Sequence, residues 1–162
     1  VNNINSTAKD QMTSHSFKIG AVEYLNQSGP EADSIKKNIA GEKMYTWTGN
    51  VGLVNVSDIL RASTNPLCTS ATTSYIYADA CNSNYLLDKG SASFLVYWTI
   101  NASSLEEGGA SSRAWYGYAY SSNAHVNYHG AYYSDAPRPV VFLKSDTTLS
   151  GSGTESDPFV LS

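Results

Sequence analysis

Charge is scarce in this sequence. Asp, Glu, Lys and Arg make up 15% of its 162 residues, against about a quarter in an ordinary soluble protein. The balance is acidic, −4 at neutral pH, and the sole adjacent basic pair, Lys36-Lys37, sits between Asp33 and Glu42. Nucleic-acid binding needs a positive field that displaces counterions from phosphates, and nothing here supplies one. Long apolar runs are also missing. No stretch approaches the roughly 20 residues of a membrane-spanning helix, so no membrane insertion by this segment is expected. The opening Val1-Asn2-Asn3-Ile4-Asn5 has neither the basic nor the apolar part of a signal peptide. A secreted protein would therefore be present here as a mature product or an excised piece.

Cysteine is limited to Cys68 and Cys81. The segment between them is rich in Thr, Ser, Ala and Tyr, with no helical pattern. Zinc would need two further ligands at close spacing. A disulfide stapling a polar loop is the better reading and points to an oxidising compartment, outside the cell or at its surface. Two free buried thiols are the alternative.

What replaces charge is a set of neutral hydrogen-bonding residues: twelve Tyr and twelve Gly, with abundant Ser, Asn and Thr. The length suits one domain with a substantial core, and neither a linker nor an internal repeat is visible. Residues 1–43 read as the helical part. Ser6 to Met12 offers one helix start, and Ser14 to Leu25 is the better amphipathic candidate, with Phe17, Val22 and Leu25 near helical spacing. After Ser28-Gly29-Pro30, Glu31 to Ala40 is a second candidate, acidic early, basic late and closed by Gly41.

Residues 44–162 read as sheet and loop. Met44 to Thr48 and Val51 to Val56 are strands about a Gly49-Asn50 turn, and Ser57-Asp58 is expected to cap a helical turn over Ile59 to Ala62. Ser63 to Ser93 is a long polar excursion that the disulfide would hold. Phe94 to Ile100 is a strand, and Ser103 to Ser112 a loop. Val140 to Leu143 is apolar enough for a buried strand, and Phe159 to Leu161 closes the chain. The expected class is α+β, short N-terminal helices on small antiparallel sheets with long structured loops.

The stretch from Ser112 to Ser134 is the most informative. Ala114 to Tyr120 alternates, with Tyr116, Tyr118 and Tyr120 on one face and Trp115, Gly117 and Ala119 on the other. Ser121-Ser122-Asn123 is a turn and Ala124 to Tyr128 alternates again, which is the pattern of a hairpin. Tyr gives large rigid contact area with few torsions to freeze, while Ser, Gly and Asn give adaptable hydrogen bonds, the mixture that antibody paratopes use. Trp115, Tyr116, Tyr118, Tyr120, Asn123, His125, Tyr128, Tyr132 and Tyr133 are the candidate ligand-binding residues.

Catalytic and metal chemistry find less support. His125 and His129 lie about 13 Å apart on an extended strand, too far for one ion. No serine sits in a nucleophile elbow, and the side chains of Glu106-Glu107 would diverge. Asp146, Glu155 and Asp157 suit turn formation better than calcium binding. No cofactor, metal or enzymatic activity is expected.

Several segments together resemble a known family. They are Trp47-Thr-Gly-Asn-Val-Gly-Leu with Ser57-Asp58, the Cys68/Cys81 pair, Tyr97-Trp98-Thr-Ile, Arg138-Pro-Val-Val-Phe-Leu-Lys, and the ending from Ser150 to Leu161. Their order and spacing resemble uncharacterised surface or pilin-associated domains of Gram-positive, largely gut-associated bacteria. Those domains are distantly similar to the C-type-lectin-like and formylglycine-generating-enzyme fold. The resemblance implies a single C-type-lectin-like domain over 1–162 and a non-catalytic extracellular binding or adhesion module, pilus- or cell-surface-associated. It further implies an exposed region over Ala114 to Tyr133 and a structural Arg138. Partners would be a glycan or protein ligand, or neighbouring filament subunits with the aromatic face buried between them. The tripeptides of calcium-dependent sugar-binding lectins and the catalytic cysteines of the formylglycine-generating enzymes are both missing, so neither site carries over.

Overall fold

The computed structural model describes residues 5–22, 40–65, 83–103, 112–121, 123–154 and 156–161. Cys68 and Cys81, with the expected disulfide, lie outside these residues, as do nearly all of the Glu31 to Ala40 helix candidate and most of the loops over 63–93 and 103–112. The described chain has far more strand than helix, arranged in several small sheets with a few short helices.

The largest sheet has four strands, in the order β7 (Asn123–Gly130), β6 (Arg113–Tyr120), β5 (Phe94–Ala102) and β8 (Ala136–Pro137). The expected hairpin is β6–β7, antiparallel from Arg113↔Gly130 to Tyr120↔Asn123. Its tight turn places Ser121 at φ 51°, the left-handed region that favours glycine. β5 runs antiparallel to β6, and β8 adds in parallel to β5.

One face of this sheet makes the core. Tyr97, Trp115, Ala119, Ala124 and Val126 pack with Val22, Leu87 and the buried side of α2 (Val56–Arg61), which presents Val56, Ile59 and Leu60. Gly117 lies under Tyr97, where a Cβ would come within 2.8 Å of the ring. The Tyr97 hydroxyl donates to the Leu86 carbonyl, which Arg138 also reaches while lying over the Tyr97 ring. Burial pushes the Tyr97 phenol up to about 12, with Arg138 pulling the other way. Arg138 thus ties the 83–103 segment to the chain leaving β8.

Buried polar groups fix the rest. Asn101 accepts from the Val56 N–H and donates to the Gly20 carbonyl. The Asp58 carboxylate accepts from the Asn55 N–H at the start of α2. α2 therefore begins at Val56, earlier than the expected Ile59, and Ser57 lies inside it. The Ser57 N–H and hydroxyl both donate to the buried Glu42 carboxylate. Desolvation nevertheless holds the Glu42 carboxyl above its ordinary range.

The N-terminal part departs from expectation. A helix forms over α1 (Ser6–Gln11), with Asn5 capping it through the Thr7 N–H. The better helix candidate, Ser14 to Leu25, contains a strand instead: β2 (His15–Lys18) pairs antiparallel with β3 (Thr46–Gly49). Phe17 is buried between exposed Ser16 and Lys18, a period of two. Its ring fills the space left by Gly52, where a Cβ would meet it at 2.4 Å. Tertiary packing of one ring outweighed the helical spacing of Phe17 and Val22.

β9 (Pro139–Leu143) is the centre of a three-stranded sheet between β1 (Met12–Thr13) and β4 (Val51–Leu53). It is not the buried strand its apolar run suggests. Val140, Val141 and Leu143 are half-buried, and Phe142 is exposed and stacked on His15 at 3.5 Å. Pairing on both edges satisfies its backbone without covering its side chains. β10 (Leu149–Ser150) and β11 (Val160–Leu161) form a terminal antiparallel pair.

Candidate functional site

The outward face of the four-stranded sheet follows from the register. Trp98 of β5 opposes Tyr116 of β6, which opposes Asn127 of β7; one step along, Val96, Tyr118 and His125 align. Side chains two apart share a face, so Trp98, Tyr116, Tyr118, Tyr120, His125 and His129 all stand on the side away from the core.

These rings are in mutual contact. Trp98 meets Tyr116 edge-on at 6.4 Å, Tyr116 meets Tyr118 edge-on at 6.5 Å, and Tyr118 lies 4.8 Å from His125. His129 is the hub. It lies 4.2 Å from Tyr116, 4.9 Å from Trp98 and 4.4 Å from Tyr133, the last stacked with its plane almost parallel. Tyr132 stacks on Tyr133 at 4.7 Å and is 77% exposed, the outermost ring of the column. The Tyr133 hydroxyl, donating to Tyr132 and beside its phenol, is held above its ordinary range.

Asp135 pins the hub. Its Oδ2 lies 2.6 Å from His129 Nε2, with the two side chains 14% and 26% exposed. A carboxylate at that distance places the proton on Nε2 and fixes the orientation of the ring. The turn after β7 brings this pair together.

The candidate residues divide between the two faces. Tyr116, Tyr118, Tyr132 and Tyr133 gather around the column. Tyr120 is on the same face but at the hairpin tip, paired with Asn123. Asn123 lines a separate polar concavity of about 310 Å³ with Asp88, Lys89 and Gly90. Trp115 must be removed from the set. It is 0% exposed and its indole N–H donates to the Val22 carbonyl at 3.0 Å, because its strand position turns it into the core. Tyr128 is also on the inner face, edge-on to Trp115 and under the Arg113 guanidinium. His125 is on the outward face but only 5% exposed, and burial holds its imidazole below the ordinary range. It is too deep to meet a ligand.

No protein-family model, curated protein or solved structure matches the chain. The geometry alone carries the argument.

Sequence reasoning missed Trp98, His129 as a binding element, and Asp135. Alternation along Phe94 to Ile100 puts Trp98 opposite Tyr97, but which strand it neighbours is invisible without the register. A second feature was missed entirely. An apolar groove of about 510 Å³ opens between the small and large sheets, lined by Ile19, Trp47, Val51, Leu53, Ile100 and Pro139 among others. Beside it Met44, Tyr45, Trp47 and Phe142 are exposed. Among the described residues, no group of three or more His, Cys, Asp or Glu is placed to hold a metal ion. No helix among them is long and apolar enough to cross a membrane.

Proposed function

We propose that this chain is a non-catalytic extracellular binding module, cell-surface- or pilus-associated, of C-type-lectin-like type. Its contact surface is the outward aromatic face of the four-stranded sheet. The observation that carries this reading is the column Tyr132–Tyr133–His129–Tyr116 with Trp98 beside it. Half-exposed rings held by one another lose little freedom on binding, and polar tips at their edges give orientation. The His129–Asp135 pair is packed against the rings of Trp98, Tyr116 and Tyr133, which favours recognition over acyl-transfer chemistry.

The test is a Tyr116→Ala, Tyr118→Ala, Tyr133→Ala triple variant screened on glycan and protein arrays beside the wild type. Loss of every wild-type signal, with near-ultraviolet dichroism showing Trp115 still packed, supports the assignment. Unchanged binding by the folded variant removes it.

A second reading, a structural filament subunit, draws on the exposed Met44, Tyr45, Trp47 and Phe142. Apolar patches of this kind mark protein contacts. Concentration-dependent assembly of the full-length protein, abolished by Trp47→Ser but retained in the tyrosine triple variant, would favour it over the first.

A further inference from the structure

The outward face is not uniform, and its chemistry at one end selects a ligand class. Resting on the binding reading above, we infer that the corner made by Tyr132, Tyr133, His129 and Asp135 is a subsite for a neutral sugar ring, with Asp135 accepting from its hydroxyls.

Three observations converge there. First, the outermost ring, Tyr132, is 77% exposed and is backed by Tyr133 and His129. A backed ring presents a stable face to the C–H surface of a pyranose. Second, Asp135 uses Oδ2 for His129, while no described residue bonds its Oδ1; the side chain keeps 14% of its surface open. An ionised carboxylate oxygen beside ring faces is a strong acceptor for a donating hydroxyl. Third, among the described residues no Lys or Arg lies over the Tyr132, Tyr133 or His129 ring; Arg113 and Arg138 lie over Tyr128 and Tyr97, both on the inner side of the sheet. An acidic sugar would bring its carboxylate towards Asp135 with no described Lys or Arg over those rings to neutralise it, in a chain of net charge −4. Like charges at short range disfavour that complex. Aromatic stacking, an acceptor and no cation over those rings together fit an uncharged pyranose and disfavour sialylated, uronic or phosphorylated ones.

Asp135 also holds His129, so its two roles must be separated. Asp135→Asn keeps an amide oxygen for the His129 Nε2–H and turns an NH₂ towards the ligand, where an acceptor is required. Asp135→Ala removes both. The probes are methyl β-D-glucopyranoside, methyl β-D-galactopyranoside and methyl α-D-mannopyranoside, with glucuronic acid and sialic acid methyl glycosides as acidic counterparts. Each is titrated into the isotope-labelled protein at neutral pH while the ring resonances of His129, Tyr132 and Tyr133 are followed.

The expected result is saturable shifts at those rings with at least one neutral glycoside and none with the acidic pair. Asp135→Asn should weaken binding ten-fold or more with the His129 ring shifts of the free protein preserved, and Tyr85→Ala, at an exposed ring outside the four-stranded sheet, should leave it unchanged. Equal or tighter binding of an acidic glycoside overturns the inference. So does unchanged affinity in Asp135→Asn, or a failure of all neutral probes. If array ligands still depend on Tyr116 and Tyr118 when the neutral probes fail, the binding face stands and the sugar subsite alone falls. If the tyrosine variants also bind normally, both fall together.

Discussion

Along β6, Trp115, Gly117 and Ala119 turn inward while Tyr116, Tyr118 and Tyr120 turn outward, and the two sets answer to different physics. Inward, the sheet is close-packed: an indole with its N–H satisfied by Val22, and a glycine that leaves room for Tyr97. Outward, rings touch at their edges, remain partly wet and are organised around one imidazole. The same alternation produces both faces, so aromatic content says where a surface is but not which rings belong to it. What separates them is the neighbour: α2 and Val22 on one side, the Tyr132–Asp135 turn on the other.

The sharpest way to break this contrast is to truncate one ring from each side. Trp115→Ala is expected to lose about 3–5 kcal/mol of stability in denaturant unfolding. Tyr116→Ala, on the outward face, is expected to lose less than about 1.5 kcal/mol while abolishing binding. Comparable losses from both would show that the outer rings are core after all. Next in size is Gly117→Ala. Its new methyl meets the Tyr97 ring, and overpacking of this kind costs about 1–3 kcal/mol, read from the shift in denaturation midpoint.

A smaller effect is expected from pH. The folded-state pKa of Glu42 is raised, so protonation favours the fold. Its contribution is fully present below the ordinary value of 4.5 and is lost as pH rises through the folded-state value. Glu42→Gln, which cannot ionise, should erase that fall. The measurement is the wild-type minus variant stability difference from pH 4 upward, and a flat difference would contradict the assignment. Smallest of all is Ser121→Gly at the hairpin tip. Relief of the left-handed conformation, offset by the freedom glycine loses, should raise stability by about 0.5 kcal/mol, seen as a small rise in melting temperature.

The hairpin was legible because its pattern is local: alternation, a turn of Ser and Asn, and alternation again. β5 was legible for the same reason. The site was only half legible. Trp98 joins Tyr116 through strand register, and His129 meets Asp135 through a turn, and neither is encoded in residue spacing. The Ser14–Leu25 segment misled because Phe17, Val22 and Leu25 fall only near helical spacing, while Phe17 and Val22 are buried by unrelated partners, Gly52 and the end of β5. The half-buried β9 misled in the opposite way, since apolar residues there mark a strand paired on both edges with one face uncovered. The groove beside it arises where two sheets diverge, a property of no single segment.

The hydrogen bond from Trp115 to Val22 crosses 93 positions of chain, that from Asn101 to Gly20 crosses 81, and that between Thr147 and Gln11 crosses 136. Contacts this remote require large loops to close before they stabilise anything, so folding should be slow, in the millisecond-to-second range. During that interval the β6–β7 hairpin can form early but leaves Trp115 without its acceptor, and the N-terminal strand must arrive from far away to supply it. A chain emerging with its N-terminus first would therefore carry the Val22 carbonyl without its indole donor until 93 more residues were made. Refolding kinetics followed by Trp115 fluorescence would time that closure.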